Sequence, residues 1–212
     1  MEDALRARSG TADLRLIETL GWDGRTFARL DRHLARLAGS ADRLGWHCDA
    51  GRVRAALHGA VGDAAVRVRL TLDRAGRMEV GVTPLPPTKP FWRVGLAGAL
   101  LRSDDPWLSV KSTRRGAYDA ARAALPEGLD EMIFQNERGE VCDGTITTVF
   151  FDRGDGLRTP VLSSGLLPGV LRAQLLDERG CSEERLLAKD LANVSLWVGN
   201  SLRGLIPAVW VA

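Results

Sequence analysis

Eight residues in the middle of the chain, Thr83 to Pro90, read TPLPPTKP. Proline fixes φ near about −65° and donates no backbone hydrogen bond, so four of them in this stretch can continue neither a helix nor a central strand. A stiff extended connector is expected here. It divides the 212 residues into a small N-terminal α/β domain, residues 1–85, and a larger domain, residues 86–212.

Upstream of the prolines, Leu14 to Leu20 reads as a strand, and Trp22-Asp23-Gly24-Arg25 carries an Asp-Gly hairpin signal leading to Thr26 and Phe27. Leu30, Leu34, Leu37, Ala41 and Leu44 recur at helical spacing within about 40° of one line, which predicts a helix with a core-facing stripe. Arg29, Arg32, Arg36 and Arg43 lie off that stripe as a basic face, with Arg29 and Arg36 nearest its edge. Val66, Val68, Leu70 and Leu72 alternate with Arg67, Arg69, Thr71 and Asp73, a half-buried strand. Arg74-Ala75-Gly76 then turns the chain into Met78, Val80 and Val82.

Downstream, Trp92 to Leu101 is apolar and leads through Trp107-Leu108-Ser109-Val110 to Lys111. A helix follows with Ala117, Tyr118, Ala121, Ala124 and Leu125 on one side, ending at Pro126. Glu131 to Gln135 and Val141 to Phe151 predict strands about an Asn136-Glu137-Arg138-Gly139 turn, and Leu157 to Leu162 a further strand. Pro168-Gly169-Val170 opens a helix reaching Glu178, with Gly180 as its stop. Leu196 to Gly199 and Leu205 to Val211 close the chain as strands split by Asn200-Ser201-Leu202-Arg203-Gly204. The fold class read from this order is α/β (α+β).

Charge and cysteine usage exclude several functions. Lys plus Arg number 29 against 27 Asp plus Glu, a formal charge of +2, and no basic run could track a phosphate backbone, so nucleic acid is not an expected partner. No apolar stretch approaches the ~18–20 residues of a membrane span, and the charged segment Met1 to Gly10 lacks the apolar centre of a secretory signal. Cys48, Cys142 and Cys181 have no CxxC spacing, and His33, His47 and His58 no metal spacing. Neither a disulfide framework nor a metal site is expected, and a reducing cytoplasm fits. Lysine is scarce beside arginine, at 89, 111 and 189 alone.

Three short stretches can carry chemistry. Lys111 follows an apolar run at an expected strand-to-helix junction, where partial desolvation favours the neutral amine that condenses with a carbonyl; a snorkelling surface lysine has the same local sequence. Pro168-Gly169-Val170 presents helix N-terminal N–H groups behind a glycine that permits close approach of an anion, as well as being an ordinary helix start. Asn200-Ser201-Leu202 supplies a hydroxyl and N–H donors in a tight turn, fit for a phosphate clamp or for plain turn chemistry.

The order of these pieces is informative. His33-Leu34-Ala35-Arg36-Leu37, Val110-Lys111-Ser112, Gly139-Glu140-Val141-Cys142-Asp143-Gly144-Thr145-Ile146, Thr159-Pro160, Leu167-Pro168-Gly169-Val170-Leu171-Arg172 and Asn200-Ser201-Leu202-Arg203-Gly204 follow one another across residues 14–210. In that order they resemble class IV (fold type IV) pyridoxal-phosphate enzymes, which include branched-chain and D-amino-acid aminotransferases and aminodeoxychorismate lyase. The resemblance implies a two-domain fold type IV architecture with pyridoxal 5′-phosphate in the cleft, a small-molecule amino substrate and a homodimer. Lys111 would be the catalytic residue, attaching the cofactor covalently and moving the proton at the substrate α-carbon. Arg36, Gly169, Val170, Ser201 and Leu202 would bind the phosphate, and Asp143 would hold the pyridine nitrogen protonated. Six tryptophans give independent ground for an interface, although a core can also absorb them.

The chain departs from the family pattern at three points. Asp143 stands where the family has glutamate and reaches about 1.5 Å less far. Thr148 stands where Asn is common, and the stretch before Leu14 lacks the usual Gly-Asp-Gly element ahead of Ile17-Glu18-Thr19. The Asn-Ser-Leu-x-Gly-x-x-Pro form of residues 200–207 resembles the lyases more than the aminotransferases, which tend to carry Gly-Thr at that turn. The favoured reaction is therefore conversion of 4-amino-4-deoxychorismate to 4-aminobenzoate and pyruvate in folate biosynthesis. An aminotransferase acting on a D- or branched-chain amino acid is the alternative, and a non-catalytic homologue the third reading. Arg203 and Arg102 are the leading candidates for substrate carboxylates, with Arg114 and Arg115 behind them.

Overall fold

The computed structural model describes Leu5 and residues 14–212, so the reading of Met1 to Gly10 falls almost wholly outside the described residues. Two compact units result. One comprises the described residues up to Pro87 together with Val110–Arg114; the other comprises Thr88–Ser109 and Arg115–Ala212.

The first unit is built on an antiparallel meander of β1 (Leu16–Trp22), β2 (Val66–Leu72) and β3 (Met78–Pro84), in that spatial order. Leu16 pairs with Leu72 and Trp22 with Val66, which keeps the buried residues Val68, Leu70 and Leu72 in step with Leu16 and Leu20. After β1 the Asp23 carboxylate accepts N–H bonds from Arg25 and Thr26 at 2.8 and 2.7 Å, and Trp22 bridges back to Phe27, as the Asp-Gly signal predicts. Helix α1 (Leu30–Leu44) coincides with the apolar stripe; it buries Leu34, Leu37, Ala41 and Leu44 against the meander and ends at Gly45. Helix α2 (Ala50–Gly59) has no comparable stripe and was not foreseen. It buries only Val53 and Leu57, one turn apart, and its sequence mark is the Asp49 N-cap, whose carboxylate accepts from Arg52 N at 3.0 Å.

Val110–Arg114 belongs to the first unit because it lines the edge of β1 away from β2. Ile17 N donates to Lys111 O at 2.9 Å, Thr113 N to Arg15 O at 2.8 Å, and Ser112 bridges to Leu16. Lys111 therefore does not follow a strand. The apolar residues before it form a single 3₁₀ turn, Pro106–Ser109, capped by Asp105 Oδ1, which accepts from Trp107 N.

The second unit is one mixed eight-stranded sheet ordered β6-β5-β4-β11-β10-β7-β8-β9. Its strands are β4 (Trp92–Leu101), β5 (Glu131–Asn136), β6 (Val141–Gly144), β7 (Thr148–Asp152), β8 (Leu157–Thr159), β9 (Ser182–Glu183), β10 (Ser195–Asn200) and β11 (Gly204–Trp210). Helices α3 (Gly116–Ala123) and α4 (Val170–Asp177) complete it. Trp92, Val94, Ile133, Val141, Phe151, Val198 and Ile206 form one buried cluster, and Ala97, Leu101, Phe134, Cys142 and Leu166 a second. Trp22, Trp46, Trp92 and Trp107 are buried and Trp197 and Trp210 half-buried, so the tryptophans mainly fill core. Among the described residues, no helix is long and apolar enough to cross a membrane.

Two of the expected strands are interrupted. Val141 to Phe151 breaks at Thr145–Thr147, because the fully buried Glu131 carboxylate draws that segment out of the ladder. It accepts Thr145 N at 3.0 Å, Ile146 N at 3.2 Å, the Thr147 hydroxyl at 2.9 Å and the Thr145 hydroxyl, as well as Met132 N at 3.0 Å. Leu157 to Leu162 stops at Thr159: Pro160 cannot extend the ladder and a 3₁₀ turn, Leu162–Ser164, follows. Replacing Glu131 by Ala strands several buried donors and should cost about 3 kcal/mol or more in urea unfolding. A loss within about 0.5 kcal/mol of zero would show that the carboxylate is not what holds the turn.

Candidate active site

In the first unit, period two along β1 sets Glu18 on the same face as Leu16 and Leu20, a carboxylate among apolar neighbours and 3 % exposed. Helix α1 packs on that strand and brings His33 and Arg36, one turn apart, onto it. Arg36 grips the carboxylate with two parallel bonds, Nε to Oε1 at 2.9 Å and an Nη to Oε2 at 2.6 Å, while His33 Nδ1 lies 2.6 Å from Oε2. Burial alone would raise the proton affinity of Glu18, but the Arg36 charge and the hydrogen bonds from His33 and Arg36 hold its pKa down to about 2. An ionised carboxylate can only accept, so the proton on His33 sits on Nδ1. Burial pushes the His33 pKa below its ordinary value against the pull of Glu18, with the positive charges of Arg36 and Lys111 adding to the depression. At neutral pH the cluster is thus a carboxylate, a guanidinium and a neutral imidazole, close enough to Lys111 to feel its ammonium.

In the second unit, Asp143 lies on β6, 5 % exposed, with a donor fixed on each oxygen. The Tyr118 hydroxyl donates to Oδ1 at 3.1 Å and Leu167 N to Oδ2 at 3.2 Å. Gly169 precedes α4 as its N-cap, against the buried Thr148; a Cβ on Gly169 would stand 2.6 Å from Thr148 Oγ1, so no other residue fits there unshifted. Val170 is the first residue of α4 and is buried, and the approach of Gly169 to Thr148 sets the positive end of that helix beside Thr148. Asn200 organises the β10–β11 turn: its Oδ1 accepts Leu202 N at 3.1 Å and Arg203 N at 3.0 Å, and its Nδ2 donates to Ile146 O at 3.2 Å.

These positions sort the residues expected from sequence. Lys111 and Arg36 stand in the first unit; Asp143, Gly169, Val170, Ser201 and Leu202 stand in the second. Ser201 is buried, with its hydroxyl in the turn, whereas the Leu202 N–H is committed to Asn200. Arg203 lays its guanidinium over the Trp92 ring, 5.3 Å from the centroid. Arg102 is surface-exposed and paired with Asp104, and Arg115 is bonded to Asp119 and to Thr145 O. Sequence reasoning gave no chemical role to Glu18, His33 or Tyr118. The signal for the first two was present: an acid at an inward position of a strand and a His-x-x-Arg on the facing helix must find each other or remain buried and unpaired.

A cofactor with an anionic tail and a basic ring nitrogen needs a cation, hydroxyl and amide donors for the tail and a fixed carboxylate for the ring. Within the second unit, the glycine cradle against Thr148, the buried Ser201 and the doubly held Asp143 carboxylate supply the amide, hydroxyl and carboxylate of that list; the first unit separately carries the Arg36 guanidinium. These groups suit the pyridoxal-phosphate class that the sequence motifs resemble.

Comparison with known proteins makes the assignment specific. Residues 15–210 match the family described as amino-transferase class IV, and the chain belongs to that family. A solved structure from Mesorhizobium loti, provisionally named an amino-acid aminotransferase, is 47% identical with a TM-score of 0.90, covering 94% of this chain and 100% of that one. A Schizosaccharomyces pombe protein provisionally named aminodeoxychorismate lyase is 31% identical over 82% of this chain and 79% of its own length. The 4-amino-4-deoxychorismate lyase structure from Pseudomonas aeruginosa shares the fold at 22% identity, with a TM-score of 0.82 over 96% of this chain and 85% of that one.

Two measurements probe these clusters. Because the folded pKa of Glu18 lies below its ordinary 4.5, the cluster contributes stability above that pH and loses it as pH falls toward about 2. Chemical denaturation should show Glu18→Gln to be about 3 kcal/mol less stable at pH 7, with a flatter pH dependence between 4.5 and 2 than the parent protein. Equal slopes would mean that Glu18 is not linked to folding in that window. In the second unit, Gly169→Ala should cost about 1–3 kcal/mol by overpacking, and Thr148→Ala in the same chain should recover most of it; purely additive losses would contradict the close approach.

Proposed function

We propose that this protein is a pyridoxal-phosphate-dependent lyase that converts 4-amino-4-deoxychorismate to 4-aminobenzoate and pyruvate, a step of folate biosynthesis, working in the cytoplasm as a homodimer. The observation that carries this reading is the Asn200 to Pro207 turn, whose form resembles the lyases and whose conformation is fixed by Asn200. The name carried by the Schizosaccharomyces relative supports it.

When bound, pyridoxal phosphate supplies an electron sink that makes the proton on the amine-bearing carbon removable. The chain's own residues supply the rest. Lys111 attaches the cofactor and, as a free amine, takes up that proton; its backbone, clamped to β1 through Ile17, fixes where the amine starts from. Arg36, Ser201 and the N–H groups of Gly169 and Val170 hold the phosphate, with Leu202 contributing packing in the turn that carries Ser201. Glu18 orients the Arg36 fork through two parallel bonds. Asp143 keeps the ring nitrogen protonated. Arg203 is the stronger candidate for a substrate carboxylate, since Arg102 is engaged by Asp104 on the surface.

A second reading, an aminotransferase on a D- or branched-chain amino acid, draws its support from the 47% identity to the Mesorhizobium structure. Both reactions begin with the same proton removal, so the cofactor-binding groups do not separate them. The non-catalytic reading rests on Asp143, Thr148 and the departure from the family pattern ahead of Leu14, and membership in this enzyme family weighs against it.

Supplying aminodeoxychorismate to the holoenzyme should yield 4-aminobenzoate and pyruvate in equal amounts. Glutamate formed from amino acids and 2-oxoglutarate, with no pyruvate from aminodeoxychorismate, would replace the lyase by the second reading. Borohydride reduction followed by peptide mass spectrometry should find the cofactor on Lys111, and Lys111→Ala should lose that label while melting like the parent protein. Label retained in the variant would refute the lysine assignment.

A further inference from the structure

We propose that Tyr118 is a positioning residue that fixes the Asp143 carboxylate and acts through it, an inference that rests on the reading of Asp143 as partner of the cofactor's ring nitrogen. Aspartate has one rotatable bond fewer than glutamate and a shorter reach, so a carboxylate at position 143 has little freedom to search for its partner and must be aimed by its surroundings. The surroundings do this from two sides. Leu167 N, just ahead of α4, bonds Oδ2, and the Tyr118 hydroxyl bonds Oδ1. Each of these bonds fixes one carboxylate oxygen.

Tyr118 is itself well held. Its ring meets Phe134 edge-on at 5.0 Å between centroids, and the Arg115 guanidinium lies 5.8 Å from its centroid while bonded to Asp119 and to Thr145 O. Burial first, and the Asp143 charge second, push the phenol far above its ordinary pKa, so the hydroxyl stays a donor at every working pH. It favours the ionised carboxylate and pins one of its oxygens. The residue reaches Asp143 from the first turn of α3, where its ring packs against the cluster of Ala97, Leu101, Phe134, Cys142 and Leu166 and its hydroxyl alone meets the carboxylate. Phenylalanine would fill the same space against Phe134 and Ala121 without the hydroxyl.

Tyr118 is the sole tyrosine of the chain, which makes it uniquely addressable. Biosynthetic 3-fluorotyrosine gives one ¹⁹F resonance at this position. In cofactor-free protein that resonance should move when Asp143 is replaced by Asn; a resonance unmoved by Asp143→Asn would overturn the proposal whether or not Tyr118→Phe folds. In parallel, pyridoxal-phosphate affinity, read by tryptophan fluorescence quenching, is compared across the parent protein, Tyr118→Phe, Asp143→Asn and the double variant. Tyr118→Phe should bind about tenfold more weakly, as expected for loss of one hydrogen bond to a charged group, and should add nothing in the Asp143→Asn background. Parent-like affinity in Tyr118→Phe, or losses that add in the double variant, would show that Tyr118 does not act through Asp143. Failure of the parent protein to bind pyridoxal phosphate would instead sink the functional reading, with the ¹⁹F comparison still deciding whether Tyr118 positions the carboxylate.

Discussion

Four peptide links join Gly144 to Thr148, and they can span at most about 14 Å. In the sheet, β6 and β7 are five strand intervals apart, about 24 Å if the sheet were flat. The sheet therefore has to curl until its first strand meets its sixth. Glu131 secures that closure by gathering the amides and hydroxyls of Thr145, Ile146 and Thr147 onto one buried carboxylate. Everything of chemical interest in the second unit depends on it: Asp143 immediately precedes the link, Thr148 immediately follows it, and Asn200 fastens its own turn to Ile146 O inside it.

The first unit uses the same device for another end. Glu18 is a carboxylate buried on a strand, but its donors are a guanidinium and an imidazole from a helix rather than amides from a turn. An acid sequestered from water and left alone would protonate; surrounded as it is, it stays charged and holds an arginine fork in one orientation. One carboxylate shapes backbone and the other presents a cation, and both do so because the cost of leaving a buried charge unsatisfied exceeds the cost of ordering its partners.

Much of this was legible in the sequence, and where it was not, the reason is physical. The α1 stripe was read to the residue because five apolar positions at one spacing admit a single interpretation. The β2–β3 hairpin was read from strict alternation about an Arg-Ala-Gly turn. Helix α2 escaped because two buried residues make no periodicity, and the break at Thr145–Thr147 because its cause, Glu131, lies fourteen residues earlier. The setting of Lys111 was misjudged for a related reason: Trp107 to Val110 is apolar enough for a strand, yet a proline and an aspartate cap fold it into one 3₁₀ turn. The motif residues can be read directly off the sequence, but Glu18, His33 and Tyr118 are invisible as motifs, since each is defined by what it touches.

The contact between Gly169 and Thr148 sets a limit on substitution. With 2.6 Å between a hypothetical methyl group and a hydroxyl oxygen, position 169 has no volume to take while Thr148 stays where it is. A side chain added at 169 would need the start of α4 to move or the Thr148 hydroxyl to turn away. What position 169 tolerates is therefore decided at position 148.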